Sequence, residues 1–367
     1  MHITRLELRD FRNCEHRVLE PSESLTVLVG PNAAGKTNLI EAVALVATGT
    51  SFRRSRSDEV VRWGADGASV SMNAEGDGSR AEVHVTMTPE GTRSWRVNGT
   101  HRRRAADATR FVPVVWFTPD DLLLVKGPAD QRRSGLDALG EQLSATYGAL
   151  RRDYTRVVRH KNVLLRDGAS PEDVAPWDEQ LAVLGARLHV HRRRLARRIA
   201  DAAGPVYAHL AGGEALGLSM ADRCGIGCDD VAVEVEQASA EETLRAELDR
   251  RRPDERARKV ALVGPHRDDI VFTINGREAR SSASQGQQRT IALAWKLGEV
   301  AVVRDVLRTP PVLLLDDVMS ELDESRRAAL TDLVQRDVQT FITTTNTGYF
   351  DPGLLRSALV VPVEDGR

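Results

Sequence analysis

Cysteine, lysine and aromatic residues are all scarce in this 367-residue chain, and no long apolar run interrupts it. Three cysteines, an odd number, argue against a disulfide framework. Cys224 and Cys228 could form half of a metal site, but no second Cys or His pair at zinc-like spacing accompanies them, so both are expected to be structural. No stretch approaches the ~18–20 apolar residues of a membrane span. The N-terminus runs directly into Ile3–Leu8 without the apolar core of a secretory signal. A cytoplasmic protein with no membrane association is therefore expected. Aromatic residues make up only 4%, too few for a single-strand stacking platform. No helix-turn-helix or zinc-finger pattern is present, so DNA contacts would run through backbone and shape. Net charge is only −2, which excludes nothing. The base is unevenly distributed, however: residues 151–200 hold twelve Arg/Lys against six Asp/Glu, and only five lysines occur in the whole chain. Arginine favours bidentate phosphate contacts.

Against these absences stands one complete motif. Residues Gly30, Pro31, Asn32, Ala33, Ala34, Gly35, Lys36 and Thr37 fill every fixed position of G-x-x-x-x-G-K-[ST], a phosphate-binding loop. Leu25–Val29 before it reads as a buried strand, and Asn38–Val46 after it as a helix, the context the motif requires. Gly30 and Gly35 allow a tight turn with inward N–H groups, and the helix N-terminus adds partial positive charge. Lys36 is assigned to the β- and γ-phosphates, and Thr37 to Mg²⁺.

The first ~120 residues look β-rich. Ile3–Leu8, Leu25–Val29, 69–73, 81–88, Arg93–Val97 and 112–117 are strand candidates, several of them alternating and bounded by Gly and Pro. From about Pro128 the apolar spacing becomes helical. Residues 128–166 and 176–211, separated by Asp167–Pro171, read as an antiparallel hairpin with arms of roughly 50 Å. Strands are further expected at 231–235, 260–263, Ile270–Ile274, 312–315 and 339–345, and helices at 240–252, 283–297 and 324–335. Strands alternating with helices indicate a mostly parallel α/β sheet. The expected division is 1–125 (phosphate loop and β subdomain), 126–255 (helical insertion) and 256–367 (rest of the core).

Pro311–Asp317 is a hydrophobic strand ending in two carboxylates, placed where a metal-binding acid belongs. Asp316 is assigned to the metal through water, and Asp317 to the attacking water as general base. Ser284-Gln-Gly-Gln-Gln288 precedes a helix expected to begin near Arg289; small residues and amides there can form an anion site. Alone, this segment reads equally as a capped helix start.

The order of these segments, with Ser320-Glu-Leu-Asp323 last, resembles ABC-type ATPases: Ser284, Gly286 and Gln287 would be the signature, Leu313–Asp317 the Walker B strand and Ser320–Asp323 the D-loop. About 250 residues with a basic helical hairpin separate loop from signature, which resembles the SMC-like group. Within it the chain is similar to the RecF family of recombination mediators, nearly end to end. The similarity is carried by Leu6–Asn13, Gly30–Asn38, Thr50–Arg53, Phe117–Gly127, Trp177–Leu181, Gly264–Asp269, Ser284–Arg289 and Phe341–Thr345.

The resemblance implies an ABC-type (SMC-like) ATPase head of α/β class, with a phosphate-loop core, an antiparallel β subdomain and an inserted helical lid. It implies ATP and Mg²⁺ as cofactors, with Asn38 joining the loop residues at the nucleotide, and an ATP-dependent homodimer closed by the partner's Ser284, Gly286 and Gln287. It further implies slow, DNA-stimulated hydrolysis using Lys36, Asp316 and Asp317, binding to double-stranded DNA at gaps and single-strand/double-strand junctions, and partners such as RecR in recombinase loading. Candidate DNA contacts are Arg53, Arg54, Arg56, Arg102–Arg104, Arg192–Arg194, Arg197 and Arg198. Asp317 stands where ABC ATPases carry Glu, no Q-loop Gln lies near Val115–Thr118, and threonines Thr343–Thr345 replace the switch His. Three rival readings fit less well: a chromosome-organising SMC protein would need arms of hundreds of residues, an ATPase-coupled OLD-type nuclease would need an acidic nuclease domain after Asp323, where 44 residues follow, and a P-loop kinase would lack the Ser284 signature, need a substrate pocket and need no nucleotide-dependent dimer.

Overall fold

The computed structural model describes residues 1–53, 57–76, 78–102, 105, 111–222, 224–226, 232–334 and 338–364. The chain forms two compact units. The first comprises Met1–Leu123, His209–Gly212 and Ala292–Arg367; the second comprises Leu124–Ala208 and Gly213–Ile291. Residues 256–291, grouped by the sequence reading with the C-terminal core, thus belong with the insertion.

The strands up to the insertion are β1 (His2–Phe11), β2 (Cys14–Leu19), β3 (Leu25–Val29), β4 (Ala68–Gly76), β5 (Ser79–Met87), β6 (Arg93–Val97), β7 (Thr100–Arg102) and β8 (Val114–Phe117). The insertion contributes β9 (Leu216–Ala221), β10 (Asp269–Ile274) and β11 (Arg277–Glu278), and the C-terminal part β12 (Val312–Asp316), β13 (Thr340–Thr344) and β14 (Leu359–Pro362). In the first unit, an antiparallel sheet has the order β2-β1-β4-β5-β6-β7. Alternate residues of β4 are buried, as expected for a sheet with one face on the core. The second sheet, in the order β14-β3-β13-β12-β8, is parallel throughout. Every residue of β12 and β13 is buried, as in strands covered on both faces; Val312–Leu315 is the continuous apolar run this favours, while β13 carries threonines.

Helix α1 (Lys36–Thr48) lies in the core shared by these sheets: its Leu39–Ala47 face packs with Leu6, Leu8, Val70 and Val83 on one side and Val114, Leu314 and Phe341 on the other. It ends at Gly49, left-handed at φ 78°, whose N–H reaches the Leu45 carbonyl. Strands β2 and β14 were not expected. Only the ends of β2 are buried, and β14 is an exposed edge strand, so neither carries a core-facing alternation.

The second unit is built on α2 (Ala129–Leu143), α3 (Ala145–Asp167), α4 (Pro171–Leu210) and α5 (Val233–Arg258), with the sheet β11-β10-β9. The single helical segment expected at 128–166 is two helices. Ser144 adopts an extended conformation and its side chain accepts from Tyr147 N, capping α3, which starts a new helix there. Gly135 does not interrupt α2. Helices α3 and α4 form the expected antiparallel hairpin: Lys161 meets Asp178, and Tyr154 meets Gly185, at matched distances either side of the turn. The arms are unequal, about 35 Å and about 60 Å by helical rise.

Among the described residues, two expected strands are absent. Val233–Val235 opens α5. Residues 260–263 are a loop whose amides find other acceptors: Leu262 and Val263 N–H donate to Glu255 Oε1 at 2.7 and 3.3 Å, and Ala261 N–H to Asn162 Oδ1 at 2.7 Å. Helix α6 (Gln285–Leu307) begins four residues earlier than expected and runs on well past 297; α7 is Glu324–Val334. Among the described residues, no helix is long and apolar enough to cross a membrane.

The Gly264–Asp269 segment forms the buried hub of the second unit. Gly264 has φ 121°, and a Cβ there would lie 2.4 Å from the Tyr154 hydroxyl. Tyr154 Oη contacts His266 Nδ1 at 2.7 Å, His189 Nδ1 contacts Asp268 Oδ2 at 2.8 Å, and Arg132 donates to both Asp269 oxygens at 2.7 and 2.9 Å. Burial pushes the His266 pKa down from 6.5 to about 4. Between those values the unfolded chain holds the extra proton, so stability falls as pH drops from about 6.5 to about 4, and below that the loss through this group is complete and constant. The loss is up to about 3 kcal/mol. Urea midpoints across this range should show it, and His266→Gln should flatten the slope.

Candidate nucleotide site

The phosphate loop joins β3 to α1, as its sequence requires. Both glycines are sterically obligatory. A Cβ at Gly30 would sit 2.1 Å from the Val363 carbonyl oxygen, and Gly35 is left-handed at φ 104° with a Cβ position 2.8 Å from Asn13 Oδ1. Ala33 is also left-handed, at φ 65°. Gly35 occupies the N-cap of α1, and no side chain caps the helix, so its N-terminus faces the loop as an anion site. Lys36 is buried, and its Nζ donates to the Gly30 and Pro31 carbonyls at 2.8 Å each. This holds the ammonium at the mouth of the loop.

The sheet order sets β13 between β3 and β12, bringing the acids at the end of β12 beside the loop. Thr37 Oγ1 donates to Asp316 Oδ1 at 2.7 Å, so the two expected metal ligands form one oxygen pair. Thr343 Oγ1 donates to the same oxygen at 2.8 Å and accepts from Asp317 N–H at 2.9 Å. Asp317 is left-handed at φ 51°, and its buried Oδ1 has no hydrogen-bond partner. Burial raises its pKa, opposed by the Lys36 charge and reinforced by Asp316. Burial lowers the Lys36 pKa, with Asp317 and Asp316 opposing. A cationic loop facing an orphaned carboxylate and a hydroxyl–carboxylate pair fits a polyphosphate with a divalent cation held by Thr37 and Asp316. Among the described residues no cluster of three His, Cys, Asp or Glu could hold a metal by itself.

The cavity here measures about 320 Å³ and is lined by loop residues Asn32–Asn38 except Ala34, with Asn13, Arg53, Asp317 and Thr343. Asn13 was missed as a site residue. It accepts from Asn38 Nδ2 at 2.7 Å, while Arg53 Nη1 donates to Asn38 Oδ1 at 2.9 Å. Arg53, expected as a DNA contact, stands on the wall of this cavity. Only membership of the Leu6–Asn13 and Thr50–Arg53 segments hinted at either.

Ser284, Gly286 and Gln287 belong to the second unit. Ser284 Oγ accepts from Gln287 N–H at 3.2 Å, and Gln287 Oε1 accepts from Ser284 N–H at 2.9 Å. This reciprocal capping box starts α6 at Gln285 rather than Arg289. Gln287 Nε2 donates to both Glu214 oxygens at 3.0 and 3.1 Å. Ser284 is exposed at the helix start. In the D-loop, Ser320 Oγ donates to the Asp317 carbonyl at 2.8 Å, and Asp323 Oδ1 accepts from Arg326 N–H at 3.0 Å at the start of α7.

The arginine cluster divides. Arg192 is buried, pairing with Asp137 and donating to the Pro265 carbonyl, so it cannot touch DNA. Arg193 and Arg194 both pair with Glu236 of α5. Arg197 and Arg198 are exposed, and Arg102 is half-buried in β7. Arg54, Arg56, Arg103, Arg104 and Cys228 lie outside the described residues.

The RecF/RecN/SMC N terminal domain family matches residues 2–360. The DNA replication and repair protein RecF of Synechococcus sp. (strain JA-3-3Ab) is 38% identical over 373 aligned positions, covering 100% of this chain and 97% of that protein. Its counterpart from Symbiobacterium thermophilum is 40% identical over 348, covering 94% and 92%. A solved structure of the recombination mediator protein RecF with ATP, in the RecFOR pathway, superposes with a TM-score of 0.90 at 28% identity, covering 100% of this chain and 96% of that one. An SMC head bound to the C-terminal winged-helix domain of ScpA shares the fold, with a TM-score of 0.57 at 16% identity. On its sequence, its fold and its paired loop and acids, this chain belongs to the RecF family of the RecF/RecN/SMC N-terminal domain proteins.

Proposed function

We propose that the chain is an ATP-dependent DNA-binding repair protein that binds ATP and Mg²⁺ at Gly30–Asn38, dimerises around the nucleotide and hydrolyses it slowly. The observation that carries this reading is the Thr37–Asp316 bond of 2.7 Å, which unites loop and acid strand in one site. The relatives named for DNA replication and repair, and the RecF–ATP structure, support it.

In this reading the loop amides and Lys36 hold the β- and γ-phosphates, while Thr37 and Asp316 hold the cation. Bound Mg²⁺ would supply Lewis-acid charge to the phosphoryl oxygens. Asp317 orients the attacking water and accepts its proton. Its short arm suits slow turnover, a switch rather than a motor. Ser284, Gly286 and Gln287 of a second copy complete the nucleotide site from the opposite side. Closure joins two arginine-bearing surfaces, including exposed Arg197 and Arg198, on double-stranded DNA at gaps and junctions. There the dimer, with partners of the RecR type, assists recombinase loading. Binding through phosphates should weaken steeply with salt.

The test is fluorescence anisotropy of a gapped duplex with ATP, ADP or no nucleotide. DNA affinity should be highest with ATP. Asp317→Asn should slow hydrolysis by about 100-fold yet retain ATP-dependent DNA binding. Equal DNA affinity in all nucleotide states, or full turnover by Asp317→Asn, would contradict the reading.

A further inference from the structure

Thr343 is the fourth residue of β13, buried, and in register with Asp316 of β12. Its hydroxyl uses both of its capacities on the acids. It donates to Asp316 Oδ1 at 2.8 Å and accepts from Asp317 N–H at 2.9 Å. Its neighbours do otherwise. Thr344 Oγ1 donates to the Asn346 carbonyl at 2.9 Å, and Thr345 is exposed.

Asp317 needs such a hold. A non-glycine residue at φ 51° sits in a sparsely populated region, at a cost on the order of 1 kcal/mol. Its Oδ1 makes no hydrogen bond, so that oxygen does nothing to fix the side chain. The carboxylate is held through its backbone, which Thr343 anchors at the amide and Ser320 at the carbonyl. The same hydroxyl also restrains Asp316, whose Oδ1 otherwise depends on Thr37.

We infer that Thr343 is the positioning residue of the paired-acid corner: one hydroxyl orients Asp316 toward the cation and holds Asp317 in its left-handed conformation toward the attacking water. It acts through the acids rather than on the nucleotide. The inference rests on the hydrolytic reading above. Thr343→Val keeps the shape and removes the hydroxyl, leaving the Asp317 amide unpaired and Asp316 one bond short. Losing such bonds is worth roughly a tenfold or greater change in rate.

The experiment measures ATP affinity, ATP hydrolysis and, in nucleotide-free protein, hydrogen exchange at the Asp317 amide. Thr343→Val should lower kcat by about tenfold or more with ATP affinity held within about threefold, and should speed exchange at Asp317 by about tenfold or more. Thr343→Ser restores the hydroxyl and should recover both. Thr344→Val, a buried neighbour not bonded to the acids, controls for packing and should leave both readouts within about threefold. Undiminished hydrolysis by Thr343→Val, unchanged exchange at Asp317, or a Thr343→Ser chain as impaired as Thr343→Val would each overturn the inference. Failure of the unsubstituted chain to bind ATP would overturn the nucleotide reading itself, and this inference with it; the exchange readout, taken without nucleotide, separates the two failures.

Discussion

Lys36→Ala should lower ATP affinity by about 100-fold, the loss of a charge-assisted contact to two phosphates. The ammonium is buried at the loop mouth, 2.8 Å from two loop carbonyls. Lys36→Arg is also expected to fail. It keeps the charge, but a planar guanidinium is wider than an ammonium, and the loop is already closed by the Val363 backbone at Gly30 and the Asn13 side chain at Gly35. Hydrolysis and nucleotide-dependent dimerisation should fall with binding in both variants. Titration with a fluorescent ATP analogue checks this; affinity within about threefold of the unsubstituted chain would remove Lys36 from the site.

Arg192→Ala should destabilise the protein by about 3–5 kcal/mol, the cost of stranding a buried charge. Arg192 donates to both Asp137 oxygens at 2.8 and 2.7 Å and to the Pro265 carbonyl at 2.7 Å, and Asp137 also accepts from the Tyr147 hydroxyl at 2.5 Å. Burial disfavours the guanidinium charge, but Asp137 outweighs it and raises the Arg192 pKa. Removing the arginine strips the buried Asp137 of its cation and leaves it the Tyr147 hydroxyl. Replacing both by apolar residues, Arg192→Met with Asp137→Leu, should recover much of the loss. Urea denaturation measures these values. A surface arginine binding DNA would instead change stability by less than about 0.5 kcal/mol while lowering DNA affinity.

What could be read in the sequence follows from where the determinants lie. The phosphate loop is legible because its glycines are imposed by local geometry, a left-handed φ and a 2.1 Å approach that only hydrogen tolerates. Strands β4, β5, β12 and β13 are legible because their burial sets the residue pattern. The misreadings share another cause. Residues 260–263 look like a strand, but their amides are claimed by Glu255 and Asn162, partners that spacing cannot identify. Arg192 sits in a run of three arginines that reads as a basic surface, yet its partner is 55 residues away. Arg132 and Asp269 are 137 apart. Asn13 joins the site through the fold, and among Thr343–Thr345 the register of β13 with β12 singles out Thr343 beside Asp316. The signature segment, ambiguous by itself, proves to be both a capping box and an exposed helix start.

Solution mass in the presence of ATP and Mg²⁺ shows directly whether a second copy of the chain completes the site. ATP should double the mass, and Ser284→Arg should stay monomeric while still binding ATP, because a long cation at the exposed helix start blocks the partner's nucleotide. A chain that remains monomeric with ATP bound, or a Ser284→Arg variant that dimerises normally, would contradict completion of the site by a second copy.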